Sequence, residues 1–454
     1  MYALALCAVR WFGTRDGVRT MRQTLAVVTM ATLAIAGCGG GSGGSADSTP
    51  SISNLQFSPN SALQYDGNGT LTVTGTFDFT DPGKDLMTVY LTSSGGATVT
   101  ASPAAAAGQS SGTIQGQVQI DTIALRHFTF QLYVTDSAGK KSNTLTGTFD
   151  VNPNDTGSHW TQQSFAASSS PGLAMSRVRW SGSTFLAVGG AVFTSPGGVT
   201  WTARPAGSSA VFNDAAWTGS QFVMVGNNGA VLTSPDGAIW TPQTIPAANN
   251  PVLHGVASSG TQIVAVGTQS VSGNTLGMIL TSPDGVSWGA APGTLQATLS
   301  AVIWSGSQFV AVGSTLGQPN TQAIAFTSSD GVTWTNALVS QPGLSALYDI
   351  AWNGSRFVAV GNAGAATSTD GLAWQATGVG TVGPDNAIGW SGKHFLACGI
   401  NDCQLSADGL QWQTTPELAR MAGTDAFVLG LAWSGTKWVA VGIAGTDPYV
   451  VTSP

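Results

Sequence analysis

From about residue 175 the chain alternates between short apolar runs and polar turns rich in Gly, Ser and Asp. The apolar runs are typified by Phe309-Val-Ala-Val312 and the turns by Ser328-Ser-Asp-Gly331. The pattern Trp-x-Gly-x-x-Phe-Val-Ala-Val-Gly, with small variations, spans Trp180–Gly189, Trp217–Gly226, Trp304–Gly313, Trp352–Gly361, Trp390–Gly399 and Trp433–Gly442. A further copy, Ser258–Gly267, lacks the leading Trp and carries Ile263 in place of Phe. Alternation and β-branching at these positions favour sheet over helix. Successive copies begin 37 to 48 residues apart, which is the period of a propeller blade and not of a helical solenoid.

Each repeat divides into four predicted strands. Strand A ends at the Trp, Ser-Gly-Ser or a variant makes a tight turn, and strand B is the apolar run. Strand C leads into a turn such as Thr-Ser-Pro-Asp-Gly, and strand D carries a closing Trp. The closing residues are Trp201, Trp240, Trp288, Trp334, Trp374 and Trp412, one fewer than the copies of strand B. The last copy reaches Val450-Val-Thr-Ser-Pro454 without a strand D, whereas Asp155-Thr-Gly-Ser-His-Trp160 stands before the first full repeat. A strand over 155–163 that completes the last blade would close the ring and remove exposed sheet edges. The expected fold is therefore all-β: a seven-bladed β-propeller over 155–454. Six blades and a stray hairpin would leave Trp160 without a role.

The Ser-x-Asp-Gly-x-x-Trp turns resemble the Asp-box (BNR-type) repeats of sialidase-like and photosystem assembly-factor propellers. They lack the residue that the usual box has between Asp and Gly, and only the Asp155 copy keeps it. Asp236, Asp284, Asp330, Asp370 and Asp408 occupy one repeated position, so they ring the molecule far from one another; with Asp155 they are read as structural turn residues. Gly197 takes the Asp position in the first repeat. A sialidase, as the resemblance implies, needs an Arg triad, a Tyr–Glu pair and an acid Asp. Here Glu417 is the sole glutamate, and the propeller's arginines are Arg177, Arg179, Arg204, Arg356 and Arg420. Arg177 and Arg179 alternate on one strand and are expected to share a face. Asp214, Asp349 and Asp425, near the starts of A strands, could serve a two-carboxylate hydrolysis or mark loops. No catalytic set converges.

Residues 51–152 hold further alternating runs, among them Leu71–Phe79, Leu86–Leu91, Thr113–Ile120, Phe128–Val134 and Leu145–Val151. Such spacing suggests an antiparallel sandwich, and Val134–Asn143 resembles the final hairpin of bacterial Ig-like modules. Asp78, Asp81 and Asp85 admit a calcium reading, but their spacing matches no defined loop, and a solvated turn on a spacer domain is the expectation. The four histidines, His127, His159, His254 and His394, show no metal-ligand spacing. No metal and no cofactor is expected.

Composition adds an address. Charged residues are 8% of the chain and the formal net charge is -7, which argues against a nucleic-acid partner. Met21-Arg-Gln followed by an apolar run to Ala36 reads as a secretory signal occupying 1–37, with Met21 an alternative start of translation. Ile35-Ala-Gly-Cys38 resembles the lipobox of bacterial lipoproteins. The resemblance implies cleavage before Cys38, a diacylglycerol on its thiol and, with Gly39 following, the outer membrane of a bacterial cell envelope. Residues 38–50 form the lipidated Cys and a Gly/Ser tether. Cys398 and Cys403 flank a short hairpin and are expected to form a disulfide in an oxidising compartment.

The D–A and B–C connections of a propeller share one face and the Asp-box turns lie on the other. The spacer and lipid are expected beneath the box side, leaving the B–C side free. The longest B–C connections, Thr268–Met278 and Ser314–Ala323, are polar and Gly-rich, as binding loops often are. The reading is a lipid-anchored, monomeric, non-catalytic binding or assembly scaffold whose partner is a protein or glycan of the cell envelope. The alternative is a sialidase-like glycoside hydrolase or a carbohydrate-binding protein.

Overall fold

The computed structural model describes residues 48–454, apart from 65–68, 95–97, 124–125, 153, 157–158, 166–173, 247, 293–294, 317–320, 340–342, 378–386, 400–402, 416–425 and 454. Cys38, Glu417, Arg420 and Asp425 lie outside the described residues. The chain is all-β and divides after Asn152 into two compact units. Among the described residues no helix is long and apolar enough to cross a membrane.

The first unit has a three-stranded sheet, Ser51–Ser58, Thr70–Thr80 and Ser111–Asp121, with the long Thr70–Thr80 strand in the middle. Its five-stranded sheet runs Ser61–Leu63, Leu145–Asn152, Arg126–Asp136, Leu86–Ser93 and Thr98–Ala101. Alternate residues of the two sheets, including Ile52, Phe77, Phe79, Val89, Ile114 and Val134, pack into one apolar core. This period-two burial is why the alternating runs form sheet.

The second unit is a β-propeller. Its sheets are built around the inner strands Met175–Trp180, Phe212–Trp217, Val252–Ser258, Ala297–Trp304, Leu347–Trp352, Ala387–Trp390 and Ala426–Trp433. Each inner strand lies beside the next, and the last lies beside the first, so the sheets form a closed ring. The repeated motif has a direct geometric reading. Trp180 and Phe185 are cross-strand partners that close the A–B hairpin, their rings 4.4 Å apart. Gly182 supplies the left-handed turn at φ 98°, and Ser181 Oγ accepts the Thr184 N–H. The B strand is buried on both sides, Phe309, Val310, Ala311 and Val312 all lying in the interior, which is why it reads as an unbroken apolar run.

The last sheet is Ala426–Trp433, Trp438–Ala444, Asp447–Ser453 and Thr161–Gln162. Thr161 pairs with Thr452 and Gln162 with Val451. Trp160 is buried beside Trp438, Tyr449 and Val451. A feature without a sequence signal follows at once. Ser164–Phe165 pairs in parallel with Thr200 and Trp201 at the outer edge of the first sheet, and Phe165 lies 4.4 Å from Phe193. Six consecutive residues thus stitch the last sheet to the first.

One sequence expectation needs correction. Thr268–Met278 is not a loop but the upper half of a long hairpin, with Thr268 paired to Gly277 and Val271 to Asn274. Ser272 and Gly273 turn it with positive φ of 51° and 81°, the two-residue geometry that matches strand twist. Arg177 and Arg179 share a face of their strand, whose register is regular from Arg177 to Trp180, the bulge lying before it between Met175 and Arg177; their guanidiniums then part to different partners.

Candidate functional site

Four charged side chains of the second unit, Arg177, Arg179, Asp214 and Asp349, meet on the inner strands at the centre of the ring. Arg177, Asp214 and Asp349 each stand three residues before the Trp that ends their strand, so the repeat places them at one level. Gly255, Ala301, Ala387 and Gly430 hold the same position on the other inner strands. At Gly255 and Gly430 the backbone of the neighbouring inner strand comes close: a β-carbon would lie 3.0 Å from Ala301 Cα and 2.7 Å from Arg177 Cα.

Asp214 is buried, and its Oδ1 accepts its own neighbour's N–H at Ala215, 2.8 Å, while Oδ2 accepts the Val256 N–H of the next sheet at 3.1 Å. Asp349 repeats the arrangement, with Oδ1 accepting Ile350 N–H and Oδ2 accepting Ile388 N–H of the sheet beyond, both at 3.0 Å. Each carboxylate is therefore a tie between adjacent inner strands. Arg179 lies 2.7 Å from Asp214 Oδ1 and donates through Nε to the Ala215 carbonyl at 3.0 Å. Burial works against the Arg179 charge, but the Asp214 and Asp349 carboxylates more than offset it and the guanidinium is held above its ordinary range. Arg177 reaches the other way: its guanidinium donates to the Leu429 carbonyl of the last sheet and to the Tyr348 carbonyl, and stands 3.7 Å from Asp349. Arg177 and Arg179 together connect the first sheet to its two neighbours and to the sheet across the centre.

This arrangement answers the hydrolase reading of Asp214 and Asp349. They do not sit in loops; both oxygens of each accept backbone N–H groups, and the arginines nearby are bonded to main-chain carbonyls. A carboxylate so held is poorly placed to act as a proton carrier or nucleophile. His254, one residue before Gly255 on its inner strand, is pushed below its usual pKa by burial alone and stays neutral at pH 7.

The box turns have a different job. In Ser328-Ser-Asp-Gly-Val-Thr-Trp334, Asp330 Oδ1 accepts the N–H groups of Val332 and Thr333 at 2.8 Å and the Ser328 hydroxyl at 2.9 Å. These bonds, the Thr333 and Val332 amides first, hold the Asp330 carboxyl down to about 2. Asp236, Asp284, Asp370 and Asp408 are depressed by the same kind of backbone bond. Trp334 Nε1 donates back to the Gly331 carbonyl at 2.9 Å, and Trp201, Trp288 and Trp374 do likewise in their own turns. In these four turns the closing Trp locks its own turn as well as filling space, whereas the Trp240 and Trp412 indole N–H groups are buried without such a bond. Asp155 differs from the rest: it is buried, its Oδ2 accepts Ser391 Oγ at 2.6 Å and meets His394 Nδ1 at 2.9 Å, and its carbonyl accepts Trp438 Nε1 at 2.9 Å. It fastens the incoming chain to two sheets.

Cys398 and Cys403 are cross-strand partners joined by a disulfide, both fully buried. On the same side as the D–A connections the Thr268–Gly277 hairpin extends four residue pairs beyond Gly267, about 13 Å at the rise of a strand.

A ring of sheets whose central charges hold it together, with regular box turns on one face, defines a β-propeller. The chain belongs to the family of the DUF6242 beta propeller domain, whose model matches residues 107–337. The match begins in the first unit, before the Ser111–Asp121 strand, and ends in the strand Thr335–Val339. The chain is similar in structure to YCF48 from Cyanidioschyzon merolae, at 17% identity and a TM-score of 0.49, over 65% of this chain and 98% of that one. It is also similar to the Pan2 WD40 domain from Neurospora crassa, at 12% identity and a TM-score of 0.46, over 67% of this chain and 98% of that one. No curated protein matches it.

Proposed function

We propose that the protein is a lipid-anchored scaffold of a bacterial cell envelope. It binds or assembles a protein or glycan partner through the propeller face opposite the box turns. In this reading Cys38 carries the lipid in the outer membrane, the first unit is an Ig-like sandwich acting as spacer, and the second is a seven-bladed propeller. Seven inner strands arranged in a closed ring support the blade count, and two sheets packed over one apolar core support the sandwich.

The observation that carries the non-catalytic reading is the engagement of Asp214 and Asp349. Both are tied to backbone amides of two sheets, which leaves the ring centre a clasp and not a reaction site. The hairpin tip at Val271–Asn274, exposed and rigidly paired below, suits a contact on the free face.

The test is a cross-linked capture from the native envelope with the intact protein and with a variant whose 269–276 segment is replaced by a two-residue turn. A partner retained by the first and lost by the second supports the scaffold. Turnover across a glycoside panel that disappears in Asp349→Asn, with the fold intact, would instead favour the hydrolase.

A further inference from the structure

The first unit holds a turn whose chemistry the scaffold reading leaves unused. Thr80-Asp-Pro-Gly-Lys-Asp85 joins the Thr70–Thr80 and Leu86–Ser93 strands. Asp81 is fully buried. Its Oδ2 accepts the N–H groups of Asp85 and Leu86, each at 2.8 Å, but its buried Oδ1 has no partner. That is a costly way to leave a carboxylate in an interior. Asp78, by contrast, takes no part: it accepts Thr113 Oγ1 and Asn54 Nδ2 at 2.6 and 2.7 Å.

The orphan oxygen has a definite aim. A β-carbon placed on Gly83 would lie 3.5 Å from Asp81 Oδ1 and 2.6 Å from Asp85 Oδ1. Two carboxylate oxygens therefore face one small space that only a glycine leaves open. Asp85 is oriented by Ser137, which donates its hydroxyl to Oδ2 and its N–H to the Asp85 carbonyl. Asp136, paired with Leu86 across the neighbouring strands, is buried as well, and its Oδ2 likewise lacks a partner. Three negative groups thus crowd one end of the unit. Burial first, then the charges of Asp85 and Asp136, push the Asp81 carboxyl above its ordinary value. A bound cation would give the Asp81 oxygen a partner and reduce the repulsion among the three carboxylates.

We propose that this turn is a calcium site, the ion lying between Asp81 Oδ1 and Asp85 Oδ1 beside Gly83. The choice of ion follows from the donors. They are hard oxygens on a turn, with no His or Cys, which suits Ca²⁺. The described residues hold no group of three acidic, His or Cys side chains round one point. The site is therefore a two-carboxylate one, completed by backbone carbonyls and water, with Asp136 adding field from behind. So few charged ligands place it with the weak sites of extracellular modules, at a dissociation constant of about 10⁻⁴–10⁻³ M. Mg²⁺, which keeps its waters and demands a tight octahedron, should bind more weakly.

Equilibrium dialysis of labelled Ca²⁺ against the purified full-length protein tests this. One saturable ion per chain is expected in that concentration range, with Mg²⁺ a poor competitor. Gly83→Ala puts a methyl group between the two oxygens, and Gly83 is not among the residues with left-handed backbone, so the fold should survive. It should weaken binding at least about tenfold while Asp236→Asn, a box-turn control, leaves it unchanged. Asp81→Asn, which keeps one oxygen for the backbone amides, should have the same effect as Gly83→Ala. Absence of saturable binding overturns the site, as does binding that Gly83→Ala leaves intact.

Discussion

Arg179 and Asp214 meet at 2.7 Å across the seam between the first two sheets, and the carboxylate is almost wholly buried. The pair is asymmetric. Asp214 also holds the Ala215 and Val256 amides, whereas Arg179 adds one bond to the Ala215 carbonyl and keeps its side chain 30% exposed. Removing the acid strands a cation and two amides; removing the base strands one carboxylate that still has two donors. We therefore expect Asp214→Ala to destabilise by about 3–5 kcal/mol and Arg179→Ala by clearly less. Urea unfolding followed by tryptophan fluorescence measures this unit alone, because every tryptophan after Trp11 lies at residue 160 or beyond. Equal effects would contradict the asymmetry.

The box turns predict an acid response. Their carboxyls are held below the ordinary 3.8, Asp330 reaching about 2. A group whose folded pKa is depressed contributes stability above its unfolded pKa and loses it as pH falls through the folded one. The second unit should thus keep a constant Tm down to about pH 4 and lose stability steeply from there to about pH 2. Asp330→Asn should flatten part of that slope. The observable is Tm by tryptophan fluorescence across this range, and a slope unchanged in the variant would count against the turn bonds as its cause.

The seam between last and first sheets should be sensitive to single atoms. A β-carbon on Gly430 would come within 2.7 Å of the Arg177 Cα, so Gly430→Ala must push two inner strands apart, at about 1–3 kcal/mol. Trp160→Ala empties a buried pocket lined by Trp438 and Tyr449 and should cost about 3–5 kcal/mol. Trp304→Ala, at a partly exposed position packed on Phe309, should cost less. Thermal denaturation ranks the three.

The Cys398–Cys403 bridge closes a loop of only a few residues, so chain entropy assigns it about 2 kcal/mol. Both sulfurs are buried, and a reductant should reach them only on opening. Intact protein should therefore resist dithiothreitol at neutral pH and react once urea has unfolded it. Mass spectrometry after alkylation distinguishes the two.

How much of this was legible in the sequence depends on whether a residue belongs to a repeat. The Trp–Phe hairpin closure and the box turns recur, so spacing alone points to sheet, turn and propeller. Arg177, Asp214 and Asp349 share one offset from the inner-strand Trp, a signal available to counting. Their partners were not, since Val256, Ile388 and Leu429 are reached through main-chain atoms across the ring. Ser164–Phe165 forms a strand of two residues, too short for any period to register. The Thr268–Met278 stretch reads as a polar loop because its side chains are polar, yet its backbone pairs as strand, with Ser272-Gly273 as the turn. At the first unit, Asp81 and Asp78 look alike in sequence. Only burial separates the one that keeps an oxygen without a partner from the one whose two oxygens are both bonded.

The strand that completes the last sheet has a consequence in time. Gln163 bonds to Thr452 over a separation of 289 residues, while the hairpins of the other sheets join neighbours a few residues apart. Closing that span costs about 4 kcal/mol more in chain entropy than closing a four-residue turn, and no local contact offsets it. As the polypeptide is synthesised, Trp160 emerges long before Trp438 and Tyr449 exist to receive it. The other hairpins can form as they appear; the ring cannot. Its assembly must therefore finish at the seam, and any delay there leaves an open sheet edge and a bare indole waiting in the half-made molecule.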